Sequence, residues 1–328
     1  MIQTFHRLRH AAALALAILV AGCGGGSDGP ATPPDARNGS YQVFAANAQR
    51  YTLNLDFDAR TWRMNGAGID QSGSIATVDG GMFAFQAGST ARFQHVQDTV
   101  IGGFRFGDTV QPFVAPRRFA NTVADTVGEY HFLSVVLDPA APSNTLIFTG
   151  EITTGGTLRT CSDSTIFVIA LCPAGSVVTH TLAVNGDDFG ATTSAGTFPF
   201  RVARIGSDKV FLRASGSSGT SRRFTVGVPA QPSYTRGQFR GANSLGQWAT
   251  TQMAASTFTT TALAANGGTV TRSGNLQQLS GNSPAGMVSL TDPNLGFFFS
   301  IRAMHLNVTV AARNNPNVPG YVEVGKPD

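Results

Sequence analysis

The side chains whose types could carry chemistry are few. They are His95, His131, His180 and His305, the acid pairs Asp56/Asp58 and Asp187/Asp188, and the cysteines Cys161 and Cys172. A metal site needs such groups at a spacing that brings them to one ion. The chain offers no Cys-x-x-Cys, no His-Glu-x-x-His and no neighbouring His pair, so no metal is expected. His180 alternates with Val178, Leu182 and Val184, which reads as a core histidine. His305 after Ile301 and Ala303 reads the same way, His95 alternates with Ala91 and Phe93, and His131 adjoins Tyr130. Asp56 and Asp58 share one strand face beside a turn, a placement that would suit glycosidase carboxylates. Both acid pairs read more simply as solvating hairpin ends. Activated nucleophiles fare no better: the body lacks a Gly-x-Ser-x-Gly elbow and Ser-x-x-Lys, and Lys209 and Lys326 are its only lysines. Ser215-Gly-Ser-Ser-Gly219 is a turn rather than a phosphate loop, since no Lys or helix follows. No catalytic residue and no cofactor are expected.

The elements that must position these groups are strands. Charged residues make up 13% of the 328, against about 25% in an ordinary soluble protein, while 42% are hydrophobic, with 38 Gly and 23 Phe. This balance excludes a disordered chain and a helical bundle. Apolar residues alternate in Tyr51–Phe57, Thr145–Ile152, Thr197–Ala203 and Phe224–Val228, the period of a strand with one buried face. From Phe297 to Val310 the alternation changes phase, which suggests a bulge or bend. Asn65-Gly66, Asp79-Gly80, Asn185-Gly186 and Asn266-Gly267 are hairpin dipeptides. Pro116, Phe119, Val123 and Val127 permit one short helix.

A degenerate repeat is visible. Gly39-Ser-Tyr41, Gly128-Glu-Tyr130 and Gly237-Gln-Phe239 open apolar stretches, and the pairs Pro112/Pro116, Pro229/Pro232 and Pro316/Pro319 close them. The fold class is therefore all-β, as two or three tandem antiparallel β-barrel or β-sandwich modules. Taken as three, they run 38–127, 128–236 with a Cys-containing insertion at 154–178, and 237–328. Closing each sheet would protect Phe- and Val-rich edges that carry few charges. Cys161 and Cys172 are expected to form a disulfide, the alternative being two buried thiols. A straight strand over Thr165–Leu171 would hold them about 23 Å apart, so that segment must bend for the bridge to form.

The first residues point to a location. His6, Arg7, Arg9 and His10 precede the apolar run Ala11–Val20, which rises about 15 Å as a helix and is half of what a membrane span needs. Basic, apolar and small residues in that order read as a secretory signal. Leu19-Val20-Ala21-Gly22-Cys23 resembles the lipobox of bacterial lipoproteins. The resemblance implies removal of 1–22, lipidation of Cys23, and a Gly/Pro-rich tether over 23–37. Gly24 stands where an Asp commonly signals inner-membrane retention, which implies the outer membrane. Lipidation of Cys23 also resolves the odd count of three cysteines and places the other two where a disulfide persists. Gly246-Gln-Trp248 resembles the Gly-x-Trp of lipocalins, which implies an up-and-down barrel for apolar ligands, although it stands far from the start of the chain.

Removal of Arg7 and Arg9 brings the formal charge of +4 down to about +2, too weak to imply a nucleic-acid partner. The expected function is a non-enzymatic outer-membrane lipoprotein. It would join the membrane through lipidated Cys23 and bind or scaffold an envelope protein or glycan. A barrel carrier of an apolar ligand and an envelope hydrolase using Asp56/Asp58 or Asp187/Asp188 are the alternatives.

Overall fold

A computed structural model of the chain describes residues 33–328, apart from 139, 164 and 217–220. The lipobox expectation, Cys23 included, lies outside the described residues. Asp35–Asp328 form one compact unit. It is all-β and built from three antiparallel up-and-down sheets, two closed barrels and one barrel-like sheet.

Barrel 1 comprises β1 (Gly39–Ala45), β2 (Arg50–Asp56), β3 (Thr61–Gly66), β4 (Ile69–Ser74), β5 (Ala76–Val78), β6 (Met82–Ala84), β7 (Arg92–Val96), β8 (Thr99–Phe106) and β9 (Thr109–Pro116). After one helical turn, α1 (Val123–Thr126), barrel 2 begins. It contains β10 (Gly128–Leu137), β11 (Asn144–Ile152), β12 (Thr157–Cys161), β13 (Val177–Asn185), β14 (Asp188–Thr193), β15 (Gly196–Ile205), β16 (Asp208–Ser215) and β17 (Arg222–Pro229). Barrel 3 contains β18 (Gly237–Asn243), β19 (Trp248–Met253), β20 (Thr257–Leu263), β21 (Thr269–Gln278), β22 (Met287–Asp292), β23 (Gly296–Arg302), β24 (Asn307–Ala311) and β25 (Val322–Pro327).

Barrels 2 and 3 close by pairing the last strand with the first, β17 on β10 and β25 on β18. Barrel 1, the barrel-like sheet, has no such pairing between its end strands among the described residues. β4 pairs only with β3 and β5 only with β6, and Ile75 alone separates β4 from β5. One bent stretch of chain thus turns the ring. Side chains seal the seam: the Trp62 indole N–H donates to the carbonyls of Ser74 (3.2 Å) and Phe85 (2.9 Å), and Phe85 packs edge-on against Trp62.

The repeat read in the sequence has a structural meaning. Gly39, Gly128 and Gly237 each begin the first strand of a barrel at φ of 140°, 155° and 131°, which side chains rarely adopt. The aromatic two residues on then enters the interior. The Tyr41 and Tyr130 hydroxyls donate to the carbonyls four residues upstream, Arg37 at 2.6 Å and Thr126 at 2.5 Å, and fasten the incoming chain. The proline pairs are not equivalent. Pro116 and Pro229 end last strands, whereas Pro316 and Pro319 precede β25.

Each barrel has its own interior core. Tyr41, Leu53, Trp62, Phe93, Phe104 and Phe113 fill barrel 1. Phe132, Phe189, Phe200 and Phe211 fill barrel 2, and Phe239, Phe258, Leu290 and Phe298 fill barrel 3. A fourth core lies between the barrels. Ile101 and Val114 of barrel 1, Leu212, Val226 and Val228 of barrel 2, and Ile301, Val308 and Val324 of barrel 3 belong to one buried cluster. They are the outward faces of their strands, so β8, β10, β17 and β24 are buried on both faces. Each such side chain contributes about 1.5–3 kcal/mol by leaving water, which welds the barrels into one body.

Three expectations change. Phe297–Val310 is not a bulged strand but a hairpin, β23 and β24, whose turn at 303–306 resets the alternation. The stretch 154–178 is not all insertion: it contains β12, which pairs with both β11 and β13, so the added material is the 162–176 connection. The helix is a single turn, because Phe119 bridges to Ala203 instead of joining it. Of the four hairpin dipeptides, Asp79-Gly80 and Asn266-Gly267 lie between paired strands, Asn185-Gly186 straddles the end of β13, and Asn65-Gly66 ends β3, just before its turn at Ala67-Gly68.

Candidate functional site

Cys161 and Cys172 form a disulfide with Cα atoms 5.7 Å apart. The chain between them bends through a 3₁₀ turn at Ile169–Leu171, as closure requires, and a second such turn at Ala174–Ser176 follows Cys172 and leads into β13. It forms a strap. Thr149 N donates to Phe167 O (2.9 Å), Ile169 N to Thr149 Oγ1 (2.6 Å), and Phe167 N to Asn282 O of barrel 3 (3.1 Å).

The other sequence candidates do not converge. Asp56 accepts from Ala59 N (2.8 Å), and Asp58 accepts from Asp35 N and from Asn38 Nδ2 (2.7 Å), so both hold turns. Asp188 sits at the junction of barrels 1 and 2. There it takes the Arg50 guanidinium at 2.7 Å, with Arg201 4.0 Å away. His95 lies 3.0 Å from the Tyr41 hydroxyl, and burial, with Arg117 and Arg37 nearby, pushes its pKa down to about 4. His131 is buried where barrel 2 meets barrel 3 near Gly286, and burial alone pushes it down to about 4. His305 packs on Gly206 of barrel 2. Both histidines therefore wedge junctions between barrels. Among the described residues no three His, Cys, Asp or Glu side chains gather as a metal set would.

A groove of about 480 Å³ runs across β2, β3 and β4 on barrel 1. Register explains its lining. Asn54 lies opposite Arg63 and Arg63 opposite Ser72, while Asp56 faces Thr61 and Thr61 faces Ser74. These outward residues form two polar rows above the Leu55, Trp62 and Gly73 positions. Arg63 also holds Asp70 at 2.7 Å. The Trp62 ring lies directly under the Gly73 backbone, where an added Cβ would come within 3.0 Å of it. An array of outward hydroxyl, amide and charged groups can hydrogen-bond a glycan or a polypeptide. Sequence reasoning grouped Asp56 with Asp58 and missed the rows, which need the β2–β3–β4 register to appear.

Barrel 3 hides a second polar group. Its inward face carries Thr251, Thr260, Arg272, Asp292, Thr309, Tyr321 and Glu323 around a cavity of about 30 Å³. The Tyr321 hydroxyl donates to Glu323 Oε2 at 2.8 Å, while Glu323 Oε1 has no partner among the described residues. Burial pushes the Glu323 carboxyl up, and the Arg272 charge partly opposes this. The space is that of a single water molecule, whereas a drug-sized apolar ligand needs about 300–1,000 Å³. Gly246 and Trp248, the lipocalin-like pair, flank the start of β19, the second strand of barrel 3 rather than its first.

No family model and no curated protein matches the chain. One solved structure it matches is the DNA polymerase III subunit beta from Pseudomonas aeruginosa. The match is 8% identical with a TM-score of 0.15, covering 92% of this chain and 94% of that one, and a likeness this slight carries no argument.

Proposed function

We propose that the protein is a lipid-anchored, non-enzymatic component of a bacterial outer membrane. It binds an envelope protein or glycan through the outside of its three-barrel body. The observation that carries this reading is the pair of polar rows on the outside of barrel 1. The barrel interiors are packed with aromatic side chains, and the polar rows of barrel 1 face outward in an open groove. The anchor rests on the lipobox-like Leu19–Cys23, and the Cys161–Cys172 disulfide is in keeping with an oxidising compartment.

Two measurements test it. Cells fed labelled palmitate should label the wild-type chain in the outer-membrane fraction and leave Cys23→Ser unlabelled. Label-free wild type recovered from the cytosol would end the anchor. Envelope glycans and proteins captured on the full-length chain should be lost from Arg63→Ala. Capture untouched by Arg63→Ala and Asn54→Ala would remove the groove as the binding surface.

A further inference from the structure

The interior of barrel 2 is apolar at one end and cationic at the other. Register on β16 and β17 sets Phe211 opposite Gly227, Arg213 opposite Thr225 and Ser215 opposite Arg223. Phe211 points into the core, so Arg213 and Arg223 share its inward face at the next two levels. They approach the end of the lumen where β10, β12, β14 and β16 finish. Phe198 on β15 lies under the Arg213 guanidinium, 4.1 Å from its ring centre, and His180 on β13 packs edge-on against Phe198 at 5.3 Å. Four side chains from four strands therefore line one end of one lumen.

Their electrostatics are one-sided. Both side chains are half-buried, and burial pulls both guanidinium groups below the usual arginine range. Arg223 adds its repulsion to bring Arg213 to about 10. Both are still cations at neutral pH. Arg213 Nε donates to Ser215 Oγ at 2.8 Å, but among the described residues neither arginine forms an ion pair. The acids of the rim serve their own turns. Asp138 takes Ala140 N (2.9 Å) and Ser221 Oγ (3.2 Å), and Asp163 takes Thr165 N (2.8 Å). The His180 Nδ1 is buried with no hydrogen-bond partner among the described residues, and burial with the Arg213 charge lowers its pKa. Barrel 3 is the contrast, since its inward Arg272 shares the lumen with Glu323 and Asp292. Two like charges partly withdrawn from water with no counter-ion destabilise a fold unless something anionic joins them. Paired guanidinium forks match the oxygens of phosphate and carboxylate.

We propose that the mouth of barrel 2 binds the oxyanion group of a small molecule, held between Arg213 and Arg223 with Phe198 and His180 as the flanking wall. This site is independent of the anchor and of the barrel 1 groove. The geometry favours an oxyanion on a compact carrier, because Phe198 closes one side and the aromatic core closes the bottom.

The test titrates inorganic phosphate, sulfate, acetate and glycerol 1-phosphate separately into the full-length protein, with chloride holding ionic strength constant. Calorimetry and melting temperature are the readouts. At least one oxyanion should bind saturably and raise the melting temperature. Arg213→Gln and Arg223→Met should each weaken that binding at least tenfold, and exposed Arg236→Gln should leave it unchanged. Preference for the ester would mark a headgroup-type ligand, and preference for inorganic phosphate a free ion. Without ligand, Arg223→Met should melt no lower than wild type, because it removes an unpaired half-buried charge. Absence of saturable binding by all four anions would overturn the proposal. So would equal binding by both variants, or an Arg223→Met protein that unfolds without ligand.

Discussion

Acid should loosen the contact between barrels 2 and 3 through His131. This side chain is 4% exposed, carries a buried Nδ1 without a partner among the described residues, and sits where a Cβ on Gly286 would come within 2.7 Å of its ring. Burial lowers its pKa from 6.5 to about 4. The folded form then binds fewer protons than the unfolded form between these values, so stability rises with pH. The contribution is present above the unfolded pKa and is lost as pH falls from 6.5 toward 4. A gap of this size corresponds to about 3 kcal/mol. Urea unfolding at pH 7, 6, 5 and 4 measures it. Wild type should lose about 3 kcal/mol more than His131→Leu across that range, because the variant has nothing to titrate at this position. His95 remains in both proteins and cancels in the difference. Parallel pH profiles for the two proteins would refute the reasoning and show that the junction opens to water around the imidazole.

Three further outcomes follow from named contacts. Cys161→Ser should lower stability by about 3 kcal/mol, the loop-closure contribution for cysteines 11 residues apart, with exchange of the Phe167 amide accelerated first; an unchanged urea midpoint would contradict this. Glu323→Gln should raise the melting temperature at pH 7 and leave it little changed at pH 4. A carboxyl whose folded pKa lies above its unfolded value costs stability as pH rises, and equal effects at both pH values would count against a buried acid. Asp188→Ala strands Arg50 and Arg201 at the barrel 1–2 junction and should cost roughly 1–3 kcal/mol, less in the Arg50→Ala background; additive effects in a double-mutant cycle would mean the pair is not coupled.

Some of this architecture is legible in the sequence. Alternation marks strands because side chains change face at each residue, and Asn-Gly or Asp-Gly marks hairpins because turns of that type need positive φ. The Gly-x-aromatic openers locate three first strands for the same backbone reason. Alternation cannot say which face looks inward. Phe198, Phe200 and Val202 line a lumen, while the similarly spaced Phe224, Val226 and Val228 belong to the core between barrels. That difference arises only when barrels dock, so the welded centre is invisible to any local pattern. Arg213 and Arg223 were hidden for a related reason. In the sequence Arg223 merely stands between Arg222 and Phe224, and only the β16–β17 register shows it inward beside Arg213. The one available signal was Phe211-x-Arg213, a charge sharing the face of a core phenylalanine. Glu323 between Val322 and Val324 hides likewise, because there the apolar residues are the outward ones.

Native-state hydrogen exchange on wild type and Ile301→Ala tests the welded centre most directly. Ile301 belongs to barrel 3 but is fully buried in the cluster shared by all three barrels, and truncating such a side chain costs about 2–5 kcal/mol. The most protected amides of β8, β16 and β24 should open with one common free energy in wild type and fall together in the variant. Loss of protection confined to barrel 3, with β8 and β16 unmoved, would mean that the barrels fold as separate bodies.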